Sequence, residues 1–268
     1  MNDLREKVVW ITGASSGIGE ALTYEFAKLN SKIIISARRK EELERVKSSC
    51  SGDQNNIKIL TLDVADITQI SERTEEAWEL FGSIDVLINN AGVSQRGLVK
   101  ETILDVDRRL FEINYFGNIA LTKYLLPKMM SRNSGYIVVT SSVAGKVSTP
   151  LRSAYAATKH ALQGFYDALR AEMVQDKKDI RVLLVCPGFI KTNITYHSLK
   201  GSGEPLNEMG DAHKKGISPE DCAKRIIRGI KNNKEEIYIA GFLENFAVYV
   251  KRFFPSLYSK LVTRIKST

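Results

Sequence analysis

The chain has 268 residues, 43% hydrophobic and 26% charged, with a formal net charge of +8. That length and mix fit one globular α/β unit with a sizeable core, and exclude a disordered, collagenous or disulfide-stapled chain. The basic residues alternate with acidic ones instead of forming a stripe, which argues against nucleic acid, and Cys50, Cys186 and Cys222 are too widely spaced for a metal site, so none is expected.

Short β-branched runs recur at 8–11, 33–36, 57–62, 86–89, 136–140, 182–185 and 237–240. The stretches between them carry apolar residues at helical spacing, as in Ile18, Leu22, Phe26 and Leu29. This alternation predicts a single Rossmann-like α/β domain over 1–268, a doubly wound, seven-stranded parallel sheet with helices on both faces. The first run leads into TGASSGIG at 12–19, where a strand gives way to a helix. In that context glycines form a phosphate site: Gly13 permits the turn, Gly17 and Gly19 allow close approach, and the free amides of the helix start attract pyrophosphate. An NAD-preferring site carries an acid about 20 residues further on. Here the second run ends instead in Ser36-Ala37-Arg38-Arg39-Lys40, and three cations at a helix start favour an anion such as the 2′-phosphate of NADP. A solvated basic turn paired with Glu41 and Glu42 is the alternative. Residues 193–216 lack a sustained period and are expected to form the one long loop, over the substrate. Ser218-Pro219-Glu220-Asp221 then reads as a helix start.

Tyr155 and Lys159 lie one helical turn apart, but so do Tyr24 and Lys28, Tyr124 and Lys128, and Tyr196 and Lys200. Tyr24 sits beyond the cofactor end of its helix, Tyr124 precedes a distorting Pro127, and Tyr196 falls in the glycine-rich loop. Only Tyr155 heads a long helix after a strand and a turn, and only it has a hydrogen-bonding residue, Ser142, thirteen positions earlier at a strand's carboxyl end. Ketone reduction puts negative charge on an oxygen that must then take a proton. Tyr155 supplies it, with Lys159 expected to lower the phenol's pKa and Ser142 to orient the substrate oxygen. Cys186 reads as a buried core thiol.

The sequence resembles the short-chain dehydrogenase/reductase family from about residue 6 to 240, through TGASSGIG, LDV at 62–64, NNAG at 89–92, Asn114 in FEINYFG, SSVAG, YAATK and PGFIKT at 187–192. The nearer likeness is to the branch with 11β-hydroxysteroid dehydrogenase type 1 and the dehydrogenase/reductase member-seven proteins. The resemblance implies catalytic roles for Asn114, Ser142, Tyr155 and Lys159, with Lys159 also on the nicotinamide ribose and Asn114 holding a proton-relay water. It further implies cofactor contacts from Gly13, Ser15, Ser16, Gly17, Ile18, Gly19, Arg38, Arg39, Asp63, Val64, Asn90, Ala91, Gly92, Tyr155, Lys159, Pro187, Gly188, Ile190 and Thr192. Relatives that prefer NADP often carry a basic residue where Ser16 stands, so the preference for NADP (NADPH) over NAD rests here on Arg38 and Arg39. Relatives also pair through the helices that hold Asn114 and Tyr155, which implies a homodimer or homotetramer.

Beyond Gly241 the seam Phe246, Val250, Phe254, Leu257, Leu261 and Ile265 alternates with Lys251, Arg252, Lys260, Arg264 and Lys266, broken near Pro255. This C-terminal amphipathic extension, 242–268, fits a peripheral membrane contact, a flap over an apolar pocket or a subunit contact. No window is long and apolar enough for a membrane span, and the start of the chain has no apolar signal region, so the endoplasmic reticulum surface or the cytoplasm is the expected location. The expected activity is interconversion of a secondary alcohol and a ketone on a hydrophobic, steroid-, retinoid- or lipid-like molecule. The rivals are an idle dinucleotide-binding redox sensor and an epimerase or dehydratase.

Overall fold

The computed structural model of the chain describes residues 3–208 and 215–264. Seven strands, β1 (Val8–Thr12), β2 (Lys32–Ser36), β3 (Ile57–Ile59), β4 (Val86–Asn89), β5 (Gly135–Thr140), β6 (Ile180–Pro187) and β7 (Glu236–Ile239), form one parallel sheet in the order β3-β2-β1-β4-β5-β6-β7. The alternation of side chains along each strand divides two cores. Val9, Ile11, Ile33 and Ile35 face one side with Leu22 and Phe26, whereas Val8, Trp10, Ile34 and Leu87 face the other with Leu121, Leu125 and Tyr166. The order reverses between β1 and β4, so their carboxyl ends open the crevice in which such sheets bind ligands.

The helices that frame the crevice are α1 (Gly17–Lys28), α2 (Lys40–Ser48), α3 (Ile70–Glu79), α4 (Leu104–Phe111), α5 (Gly117–Ser131) and α6 (Ser153–Gln175). They are followed by α7 (Pro219–Lys231), α8 (Phe242–Phe253) and α9 (Pro255–Val262). Ser218 caps α7 as expected, its hydroxyl accepting from Asp221 N at 3.1 Å. The strand expected over 57–62 is shorter. Leu60 N and Leu62 N continue the bonding to Ile35 O and Ala37 O at 3.1 and 3.0 Å, but the chain here has a neighbour on one side only and turns away at Asp63.

Pro127 lies inside α5, which continues through it to Ser131. Pro127 and Lys123 are both exposed, so the carbonyl deprived of its usual donor faces water. Between α4 and α5 the helix widens into one π-helical turn, Glu112–Phe116. The Asn118 amide donates to Asn114 O at 2.6 Å within it. Residues 209–214 of the long loop, and Ile265 and Lys266 of the C-terminal seam, lie outside the described residues.

Candidate active site

The glycine turn is fixed by crowding. Gly13 has φ +65°, and a Cβ there would stand 2.8 Å from Ala91 Cα. At Gly17, φ +59°, a Cβ would meet Thr192 Cγ2 at 3.0 Å. Gly19 faces the Gly13 carbonyl so closely that no side chain fits between them. The Asn90 amide ties the turn to β4 by donating to Thr12 O and Gly13 O at 3.1 and 3.3 Å. Ser16 precedes α1 without its side chain bonding the first turn, so the turn's amides, which have no partners within the helix, stay available. This cradle fits a pyrophosphate.

The cradle opens into a cavity of about 1470 Å³. Gly13, Ser15, Ser16, Gly17, Ile18, Arg38, Arg39, Asp63, Val64, Asn90, Ala91, Gly92, Pro187, Gly188, Ile190 and Thr192 all line it. Ser142, Tyr155 and Lys159 line the same space. Tyr24, Tyr124 and Tyr196 do not. Tyr24 donates to Glu20 at 2.6 Å, Lys128 pairs with Glu75 at 2.7 Å, and Tyr124 and Tyr196 are exposed.

Two predicted site residues stand behind the wall instead of on it. Gly19 contributes only the close packing just described. Asn114 is fully buried, and its amide is consumed within the protein: Oδ1 accepts from Val93 N at 2.8 Å, while Nδ2 donates to Val93 O at 2.9 Å and Thr158 Oγ1 at 3.1 Å. It thereby holds the Val93 segment against α6.

The Ser142 hydroxyl donates to Pro187 O at 3.2 Å and accepts from Ala144 N at 3.0 Å, and it is close enough to the Tyr155 hydroxyl to influence its proton. Lys159 Nζ donates to Thr140 O at 2.7 Å and stands 5.8 Å from the centre of the Tyr155 ring. Burial raises the Tyr155 pKa above its ordinary value, opposed by the Ser142 hydroxyl and the charge of Arg152. The expected depression by Lys159 is thus not met in the free protein, because desolvation of the phenol dominates. Lys159 itself is pushed down to about 8 by burial, with a smaller upward effect from Cys186. Burial also raises the thiols, Cys50 to about 11 and Cys186 and Cys222 to about 12, which leaves them inert at neutral pH.

Three contributors to the cavity escape sequence reasoning. Arg152 lies at the start of α6 beside Tyr155, Leu151 before it has φ +69°, and Glu244 on α8 reaches back to accept from Phe189 N at 2.8 Å and Gly241 N at 2.7 Å. Only Glu244 had a local signal, as an acid in a helix's first turn. Its bond to Phe189 fixes α8 to the Pro187–Thr192 segment that borders the cavity.

The family model for short chain dehydrogenases matches residues 7–202. The chain is 42% identical over 260 residues to an Anopheles gambiae "Dehydrogenase/reductase SDR family protein 7-like", covering 95% of this chain and 81% of that one. A short chain dehydrogenase/reductase from Burkholderia phymatum in complex with NAD is similar in structure, with a TM-score of 0.83, 25% identity and 96% of each chain covered. The closed form of a serine dehydrogenase complexed with NADP+ is similar at a TM-score of 0.76 and 26% identity, over 87% of this chain and 94% of that one.

Proposed function

Because the chain belongs to the short-chain dehydrogenase family, we propose that it is an NADP(H)-dependent oxidoreductase that interconverts a secondary alcohol and a ketone on a hydrophobic, lipid-like substrate. The observation that carries this reading is the meeting of Ser142, Tyr155 and Lys159 on one cavity that runs on from the glycine cradle. A bound nicotinamide dinucleotide supplies or accepts the hydride. The protein's own residues handle the proton and the orientation. The Tyr155 hydroxyl, kept protonated by burial, donates to the carbonyl oxygen in reduction, and Ser142 holds that oxygen by a second hydrogen bond. The Lys159 ammonium, held at Thr140 O, offsets the negative charge left on the phenol. Apolar side chains from α8 and α9 on the cavity wall, among them Phe246, Val250 and Leu261, support a hydrophobic substrate. A panel of lipid ketones and alcohols, followed by NADPH oxidation or NADP+ reduction, tests the reading. Turnover of none would reject it.

The Lys159 shift gives this activity a pH dependence. The ammonium is present below about 8 and lost above it, so kcat/KM for ketone reduction should hold level up to about pH 8 and decline beyond. Initial rates across that range check it. A profile still rising through pH 9 would contradict the role of Lys159.

The C-terminal helices support a peripheral membrane contact within this reading. Among the described residues no helix is long and apolar enough to cross a membrane. Phe242, Phe253 and Phe254 are strongly exposed and off the cavity wall, next to Lys251 and Arg252. Replacing these three phenylalanines with serine should lower partition onto anionic vesicles about 10-fold or more, read by cosedimentation. Equal partition would remove this part of the proposal. Exposed Phe116, just before α5, and exposed Tyr124, within it, support pairing of two copies through that helix.

A further inference from the structure

The cavity wall around Tyr155 is chemically divided. Val143, Val147, Val250 and Tyr258 pack as one apolar cluster beneath α8 and α9. Elsewhere on the same wall stands Arg152, whose guanidinium lies 5.8 Å from the Tyr155 ring centre, with Arg96 contributing as well. Arg152 is half-buried. One of its nitrogens donates to the buried Ser94 hydroxyl at 2.8 Å, and no carboxylate among the described residues pairs with it. A guanidinium carries five N–H donors in a planar fork, and Arg152 lines the cavity with one of them given to Ser94. Burial, helped by the charge of Arg96, holds its proton affinity below the usual value.

The local backbone is built to hold this cation in place. Leu151 adopts φ +69°, an unusual conformation for a residue with a side chain, and its carbonyl accepts from Gly97 N at 3.0 Å. The Ser94 and Gly97 bonds together tie the 149–152 segment to the 94–97 segment at the mouth of α6. A partly desolvated cation fixed by a strained segment is an arrangement that an anion stabilises.

We propose that Arg152, with Arg96 near it, forms an anion subsite, and that the substrate is an amphiphile with its apolar chain against α8 and α9 and a carboxylate or phosphate on Arg152. The placement of the reacting carbonyl at Tyr155 rests on the oxidoreductase reading, but the subsite can be tested without turnover. Decanoate, decyl phosphate and decanol, none of which has a ketone to reduce, are titrated calorimetrically into the NADPH-loaded full chain and into Arg152→Gln and Arg152→Lys. At least one of the two anions should bind the native chain about 10-fold or more tightly than decanol. That preference should vanish in Arg152→Gln and persist only in part in Arg152→Lys, whose ammonium cannot make the bidentate contact. The tighter anion identifies the head group. Equal or undetectable binding of all three, or an anion preference that survives in Arg152→Gln, overturns the proposal. If Arg152→Gln fails to fold, as seen by circular dichroism, an unchanged preference in Arg152→Lys overturns it. Failure of the oxidoreductase reading would show separately, as turnover of none of the lipid ketones and alcohols by the native chain.

Discussion

Replacing Tyr155 with phenylalanine should lower ketone turnover by about 10²- to 10⁴-fold while NADPH still binds. The ring stays, and with it the packing that keeps Tyr155 almost wholly buried against Val106, Leu110 and Ala154. What is lost is the hydroxyl beside Ser142. Without it no side-chain donor on the cavity wall combines a buried proton with a neighbouring ammonium, so a developing oxyanion would have Ser142 alone. Stopped-flow or steady-state rates, set beside NADPH fluorescence titration, separate chemistry from binding. Near-normal turnover with normal binding would show that the proton comes from elsewhere and would remove Tyr155 from its role.

The second large effect concerns cofactor choice. Changing Arg38 and Arg39 together to glutamine should lower the preference for NADPH over NADH by about 10²-fold, since each arginine offers a charge-assisted hydrogen bond to a phosphate. Both residues line the cavity and are exposed, and among the described residues neither has an ion pair. The rival explanation, a basic turn neutralised by its own acids, is weakened by Glu42, which Arg45 holds at 2.9 Å. Arg45 also binds Glu20 at 2.7 Å and Ser15 O at 3.2 Å, so its charge is spent on bracing the glycine turn. Dissociation constants for the two reduced cofactors, native against double variant, decide the matter. A native chain that already favours NADH would reject the NADP assignment.

The sheet could be read from sequence because β-branched runs at regular intervals leave little else to form, and burial on both faces requires their apolar character. The cofactor cradle could be read because glycine is needed where the backbone turns left-handed or touches Ala91 and Thr192. The choice among four tyrosine and lysine pairs also follows from position along the chain, and of the four tyrosines only Tyr155 lines the cavity. Other features depend on three-dimensional surroundings. Asn114 has a plain helical context in sequence, and only the fold shows its amide exhausted on Val93 and Thr158. The phenol's pKa shifts upward because burial outweighs its neighbours, a balance that spacing alone does not contain. Arg152 is one arginine among many until the fold sets it against Tyr155.

A crystal structure of the chain with NADP+ and a secondary alcohol that it oxidises is the most direct measurement. The alcohol oxygen should lie within about 2.6–3.2 Å of both the Tyr155 and Ser142 hydroxyls, with its carbon facing the nicotinamide ring. An alcohol seated with its oxygen turned away from Tyr155, in a complex that still turns over, would contradict proton transfer by that phenol.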